Sequence, residues 1–304
     1  MAAVRLTAAV GWSRELGCDN CATGTKAVIK LLNTVKITED EFEQHMIVLG
    51  NCVHENVATP RAHRFSEMTK LIVYDYYSQG SVFDMLHGGN TNGNRPNWER
   101  RVRIAAGAAQ GIAHIHTQCG GKLAHGNIKS SNIFVNSQGY GCVCDFGLAG
   151  LPGMAAKWWD ALEYYTSEHS FKSPSQESDV YSFGMFLVEL VTGKLPVLLP
   201  YLVNLLCTSE PDTLDFNVFK PSLFADELGS VEMEVGKFPA DSDLNSWCVE
   251  ELRRTLVLAK WCLALLPQDR PTMSQVVIQL QSMIRFGSGD ERGHHHPRQE
   301  ASLE

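Results

Sequence analysis

The chain has 304 residues, of which 44% are hydrophobic and 20% are charged, and its formal net charge is −8. These values are ordinary for a globular protein, and the length suits one large domain or two smaller lobes. The acidic balance, without a dense basic run, disfavours nucleic acid as a partner. No apolar stretch approaches the roughly 18 residues that a membrane helix needs.

The nine cysteines and the N-terminal residues indicate in which cellular compartment the protein is expected. Cys18 and Cys21 form a lone C-x-x-C pair, and no second pair lies at the spacing of a metal site. Residues 1–10 carry too weak an apolar run for an export signal. We therefore expect reduced thiols and a cytoplasmic protein.

The first quarter of the chain is expected to contain strands. Residues 1–24 show no clear period. Residues 25–32 form a run typical of a buried strand, which contains Lys30, and residues 70–77 form a second hydrophobic strand pattern.

A helix is predicted between these strands, over residues 38–49. Thr38 is a candidate N-cap and Glu41 follows three residues later, which is the pattern of a capping box. One face of this helix is apolar and carries Phe42, Met46 and Leu49.

The remainder of the chain is predicted to be mainly helical, because apolar residues recur at intervals of three and four. The predicted helices span residues 78–87, 98–118, 178–192, 247–266 and 272–286. A short strand is expected at 132–135, and residues 287–304, rich in Gly and charge, are expected to be a disordered tail.

Two motifs lie close together in the middle of the chain. The run His-Gly-Asn-Ile-Lys-Ser-Ser-Asn occupies residues 125–132, and Asp-Phe-Gly follows at 145–147. They resemble the catalytic loop H-R-D-x-K-x-x-N and the metal-binding D-F-G of protein kinases. By this resemblance, Asn132 and Asp145 supply oxygen ligands for Mg²⁺, and Lys129 neutralises charge on the transferred phosphoryl group.

The loop departs from that pattern where a kinase has its proton acceptor. Asn127 replaces the catalytic Asp, and Gly126 replaces the Arg before it. An amide can orient a hydroxyl group but cannot take its proton, and loss of a general base typically costs about two to four powers of ten in rate. Residues 145–163 also contain no Ser, Thr or Tyr, so the phosphate that the missing Arg would bind cannot be added there.

Three further motifs are Val-Tyr-Asp-Tyr-Tyr at 73–77, Gly-Ile-Ala-His-Ile-His at 111–116 and Ser-Asp-Val-Tyr-Ser-Phe-Gly at 178–184. Together with residues 125–132, they are similar to the kinase domain of plant leucine-rich-repeat receptor-like kinases, nearest the group described as probable inactive receptor kinases. The resemblance covers roughly residues 25–286. It implies an α+β, two-lobed protein-kinase-like fold, with a small β-rich N-lobe at 25–77 and a larger helical C-lobe at 78–286. Residues 1–24 would be a degenerate remnant of the glycine-rich loop region.

The resemblance also implies an ATP site. Lys30 would grip the α- and β-phosphates, Tyr74 would be the gatekeeper beside the adenine, and Asp75 and Tyr77 would belong to the hinge that bonds the adenine edge. Of the three glycines that close over the phosphates, only Gly11 remains, because the other two positions hold Ala and Arg.

On the predicted helix, His45 stands where kinases have the Glu that pairs with the strand lysine. Glu41 or Glu43 could replace that Glu only if the helix rotates or shifts. Asp179 resembles the buried Asp that holds the backbone of the catalytic loop.

Three functions fit these residues. We favour a pseudokinase, which acts in signalling as a switch or scaffold, with ATP and Mg²⁺ as its cofactors if the site still binds them. The alternatives are a weakly active Ser/Thr protein kinase and a kinase-shaped interaction module that binds no nucleotide. The expected partners are other signalling proteins, an active receptor kinase among them. The expected location is the cytoplasm, or the cytoplasmic face of the plasma membrane if the chain is a fragment of a receptor.

Overall fold

The structure is a computed structural model, and it describes residues 16–18, 26–32, 35–88, 95–118, 120–152, 174–196 and 246–287. The expectations for Gly11, for the segment at 153–163 and for the tail after residue 287 lie outside these residues. The proposed boundaries of the lobes remain predictions.

The N-terminal part contains one four-stranded antiparallel sheet. Its strands are β1 (Leu16–Cys18), β2 (Ala27–Leu32), β3 (Ala62–Arg64) and β4 (Lys70–Asp75), in the order β1-β2-β4-β3. In the central pair, Lys30 of β2 lies opposite Ile72 of β4. Strand β3 was not predicted, since it is three residues long and contains no large apolar side chain.

Helix α1 (Glu39–Asn51) connects β2 to β3 and begins where the sequence predicts. The Thr38 hydroxyl accepts a hydrogen bond from the Glu41 backbone N–H, and the Glu41 carboxylate accepts one from the Thr38 backbone N–H at 3.0 Å. Both halves of the predicted capping box are therefore present. The apolar face of α1 is buried as expected, through Phe42, Met46 and Leu49.

The remainder is mainly helical, which confirms the predicted α+β composition. Its elements are α2 (Val82–His87), α3 (Trp98–Thr117), β5 (Ile133–Val135), β6 (Gly141–Val143), α4 (Gln176–Thr192), α5 (Ser246–Cys262) and α6 (Met273–Gly287). Helix α3 packs against α6, and α4 packs against α5. No helix in this described part is long and apolar enough to cross a membrane.

Two glycines of α3 allow this helix to lie close to β6, the second strand of the β5–β6 hairpin. A Cβ added at Gly107 would lie 2.5 Å from the backbone of Gly141, and one added at Gly111 would overlap the carbonyl of Asn56. Since only glycine permits this approach, α3 lies directly against β6. The end of β6, which leads into Asp145, is fixed by this contact.

Candidate functional site

The loop at residues 125–132 is held from below by Asp179 of α4. The carboxylate of Asp179, which is 1% exposed, accepts hydrogen bonds from the backbone N–H of His125 at 2.6 Å and of Gly126 at 2.8 Å. His116 of α3 lies 2.9 Å from the same carboxylate through Nε2. The expected role of Asp179 is confirmed: the loop is fixed to α4, and the same carboxylate joins α4 to α3 through His116.

His125 is buried and stabilises the loop through a hydrogen bond to its backbone. It is 1% exposed, and its Nδ1 accepts a hydrogen bond from the backbone N–H of Asn127 at 3.2 Å. Burial lowers the pKa of His125, which favours the neutral imidazole. Its Nε2 has no hydrogen-bond partner among the described residues.

Asn127 and Asn132 lie next to each other at the centre of this loop. The Asn132 side chain donates from Nδ2 to the Asn127 carbonyl at 2.9 Å, and the Asn132 carbonyl accepts from the backbone N–H of Cys144 at 2.9 Å. The second bond joins the loop to the residue before Asp145. Asn127 therefore sits in an ordered, kinase-like loop, but it supplies an amide at the position of the base.

Gly126 adopts a conformation that an Arg would not adopt without strain. Its φ is +77°, and a Cβ at this position would lie 2.7 Å from Cγ of Pro174 and 3.1 Å from Cβ of Ala149. The loss of the Arg is thus accompanied by close packing against the space that its side chain would enter.

Lys30 and Asp145 form a buried ion pair between β2 and the segment after β6. Their side chains are 10% and 8% exposed, and Lys30 Nζ donates to Asp145 Oδ2. Asp145 has a φ of +68° and is the one residue other than glycine with a positive φ in the described ranges. The two residues that the sequence predicts for phosphate and for metal are therefore bonded to each other.

His45, at the position of the kinase helix Glu, contacts a different group. Its Nε2 lies 3.1 Å from the carbonyl of Gly147, which can only accept, so the imidazole donates. Burial lowers the pKa of His45, and the Gly147 carbonyl opposes that shift. The two acids considered as replacements are also engaged elsewhere, because Glu41 caps α1 and Glu43 lies 2.7 Å from Nε2 of His63.

Two buried or half-buried tyrosines lie at the expected hinge: Tyr74 precedes it and Tyr77 belongs to it. Tyr74 is 4% exposed, and burial raises its pKa well above the usual range, with a smaller contribution from the charge of Asp145. The Tyr77 ring stacks on Phe134 of β5, with ring centroids 5.3 Å apart, and its hydroxyl lies 3.1 Å from Sγ of Cys142. Burial raises the pKa of Cys142 to about 11, so its thiol is protonated at neutral pH.

Asp75, the other predicted hinge residue, faces outward. It is exposed, and its two carboxylate oxygens lie 3.0 and 2.9 Å from Nε of Arg61. Its side chain therefore does not enter the site. Phe134 and Cys142, which do pack against the hinge, were not predicted; their short strands next to the two motifs were the available signal.

The structure brings most of the predicted site residues into one connected set. Lys30 bonds Asp145, Asp145 follows the residue that bonds Asn132, and Asn132 bonds Asn127. Lys129 belongs to the same loop and is half-buried. The set carries an amide, and not a carboxylate, at the position that the resemblance gives to the general base.

Comparisons with known proteins agree with this geometry. The family model for the protein kinase domain matches residues 13–280. An Arabidopsis thaliana protein, named a probably inactive receptor-like protein kinase, is 38% identical over 285 residues, with 84% of this chain and 75% of that protein covered. Another Arabidopsis protein, named a probable inactive receptor kinase, is 46% identical over 176 residues, covering 57% of this chain and 28% of the relative. A third, named an inactive leucine-rich repeat receptor-like serine/threonine-protein kinase, is 36% identical over 267 residues, covering 84% of this chain and 40% of the relative.

A comparison with solved structures gives independent evidence for the fold. The pseudokinase domain of BIR2, an immune regulator of the RLK/Pelle family, matches with a TM-score of 0.66 and 25% identity, over 93% of this chain and 82% of that one. The predicted two-lobed kinase fold is thereby confirmed, as is the resemblance to inactive receptor kinases. The chain spans 75% of the first relative but less than half of the other two. It belongs to the protein kinase domain family, among relatives that are receptor-like kinases of plants.

Proposed function

We propose that this domain is a pseudokinase, which acts in signalling as a switch or scaffold for other proteins and transfers phosphate inefficiently. The observation that carries this proposal is Asn127, an amide at the base position of an otherwise assembled catalytic loop. Without a group that takes the hydroxyl proton, the rate is expected to fall by about two to four powers of ten. The location that fits this role is the cytoplasm, or the cytoplasmic face of the plasma membrane in a longer receptor.

Protein kinase domains generally bind ATP and Mg²⁺. For this chain we propose that Lys30 would meet the phosphates and that the backbone of Asp75 and Tyr77, beside Tyr74, would meet the adenine edge. Asn132 and Asp145 would be the oxygen ligands of the cation, with Lys129 near the terminal phosphate. The buried positions of Lys30, Asn132 and Asp145 are consistent with such a pocket.

One observation favours a second candidate, a kinase-shaped module that binds no nucleotide. Lys30 and Asp145 neutralise each other, so neither is free for a ligand in this state. A thermal shift with ATP and Mg²⁺ separates the candidates, because a ligand that binds only the folded state raises Tm. A rise that Asp145→Asn removes would support the pseudokinase with a nucleotide site, and no rise would support the module.

The scaffold role is tested with the kinase domain of an active receptor kinase as the partner. The affinity of this pair and the partner's phosphorylation rate are measured with the wild-type domain and with Asp145→Asn. We expect binding, and an effect on the partner that is the same for both proteins, because the proposed role does not need phosphate transfer by this chain. An effect on the partner that requires Asp145 and is accompanied by phosphate transfer from this domain would contradict the proposal.

A further inference from the structure

The predicted magnesium ligands do not present a cation site as they are arranged. Mg²⁺ requires oxygen ligands in near-octahedral geometry, usually including one or two carboxylates. The carboxylate of Asp145, which would be the anionic ligand, is already paired with Lys30. The amide of Asn132 donates from Nδ2 to the Asn127 carbonyl, so only its oxygen could bind a cation, and one neutral oxygen does not replace the paired carboxylate. No group of three or more His, Cys, Asp or Glu that could hold a metal occurs in the ranges that the structure covers.

Lys30 is paired with Asp145, and no ion pair joins it to a carboxylate of helix α1, every residue of which the structure describes. A buried ammonium group is stable only when it is paired, and Lys30 is 8% exposed. Among the described residues, Asp145 is the carboxylate at ion-pair distance from Lys30. His45, at the α1 position where kinases have the Glu, carries no negative charge in any protonation state and donates to the Gly147 carbonyl, two residues after Asp145.

Release of Asp145 therefore requires a replacement anion at Lys30. A free divalent cation that took Asp145 would leave the buried ammonium of Lys30 without a counter-charge. A carboxylate on α1 would supply that counter-charge, as would the phosphates of a nucleotide. His45 supplies none.

We propose that the Lys30–Asp145 pair is an autoinhibitory contact that closes the cation site to free Mg²⁺, and that His45, in the place of a carboxylate, is the positioning residue that keeps it closed. This inference deepens the proposed pseudokinase function and rests on it. It makes a cation at Asp145 dependent on the arrival of an anion at Lys30.

The test measures Tm of the purified domain with millimolar Mg²⁺ against NaCl of equal ionic strength. We expect no Mg²⁺-dependent change for the wild type. His45→Glu should give a rise of about 2 °C or more, because the new carboxylate holds Lys30 and frees Asp145. The matched variant His45→Gln should give no rise, and Asp145→Asn in the His45→Glu background should remove it.

Lys30→Met provides a second route, since it frees Asp145 without any change on α1. It should also give a Mg²⁺-dependent rise in Tm, and it decides the matter if His45→Glu does not fold. An Asp145-dependent rise in the wild type would overturn the inference, as would the absence of a rise in the folded variants. These readouts contain no phosphate transfer, so they can fail while the proposed function stands, and the transfer assay described below can fail while they succeed.

Discussion

At the scale of single residues, the loss of a carboxylate at two places defines the site. Asn127 keeps the hydrogen bonds of its loop through its backbone, and its side chain cannot accept a proton. His45 keeps α1 in contact with Gly147 but brings no charge to Lys30. The first change affects the chemical step, and the second affects the state of Asp145 before any ligand arrives.

Restoring the base alone should recover little. We predict that Asn127→Asp raises the phosphate-transfer rate less than about tenfold, well below the hundredfold or more that a general base contributes, because His45 and the lost glycines remain. Initial rates with Mg²⁺-ATP and a generic Ser/Thr substrate measure this, with Asn127→Ala as the control. A gain of a hundredfold from this single change would refute the prediction.

Gly126 should be more sensitive to substitution than its φ alone implies. A positive φ costs an L-residue about 1–2 kcal/mol, and Gly126→Ala adds a Cβ 2.7 Å from Cγ of Pro174. Gly139→Ala is the matched control, because Gly139 has a φ of +85° and nothing within 4 Å of the added Cβ. Urea unfolding should show a larger loss of stability for Gly126→Ala; equal losses would mean that the packing at Pro174 contributes nothing.

Among the secondary-structure elements, α4 and α3 position the loop at residues 125–132. Asp179 of α4 accepts from two backbone N–H groups of the loop and lies against His116 of α3. Meanwhile α3, through Gly107 and Gly111, fixes β6 and the residues that follow it. The catalytic loop is therefore positioned by α4 and the Asp145 segment by α3, and these two helices are joined by the contact between Asp179 and His116.

Removing the buried carboxylate of α4 should be costly. We predict that Asp179→Ala lowers the free energy of unfolding by about 3 kcal/mol or more, because three donors lose their buried acceptor. The comparison is Asp75→Ala, whose partner Arg61 is 67% exposed and whose ion pair should contribute about 0–1 kcal/mol. Similar losses in the two variants, measured by urea unfolding, would show that the loop is not held through Asp179.

At the scale of the whole molecule, the fold should be sensitive to mild acid. Burial lowers the pKa of His45, His54 and His125 from the ordinary value of 6.5. As the pH falls through that value, the unfolded chain takes up protons at these positions and the folded protein takes up fewer, so stability decreases. The loss continues until the pH reaches the lowered pKa values of the folded state.

We therefore predict that Tm falls between about pH 7.5 and pH 5.5. His45→Gln should make the fall shallower, because it removes one of the three contributing groups. A Tm that is constant over this range, or a slope that His45→Gln leaves unchanged, would contradict the assignment of acid sensitivity to these histidines.

Local patterns made the elements predictable, and contacts between distant parts of the chain did not follow from them. The capping box at Thr38 and Glu41 and the strand that carries Lys30 depend on neighbouring residues, so the sequence indicates them. The pairing of Lys30 with Asp145, 115 residues away, depends on how the sheet and the β5–β6 hairpin pack.

The same limit applies to the hinge and to Gly126. The stack of Tyr77 on Phe134 and the packing of Gly126 against Pro174 join residues that are far apart in the chain, so neither follows from a local sequence pattern. The departures at Asn127 and His45 were visible in the sequence because the surrounding motif fixes their positions. What their side chains contact instead was not.

Whether this domain is catalytically impaired is decided by phosphate transfer from radiolabelled ATP with Mg²⁺. The transfer is measured for the wild-type domain and for Asp145→Asn, both to the domain itself and to a generic Ser/Thr substrate. A catalytic loop without a general base predicts the same background signal for both proteins. Transfer by the wild type that Asp145→Asn abolishes would contradict the proposed function and make the domain an active kinase.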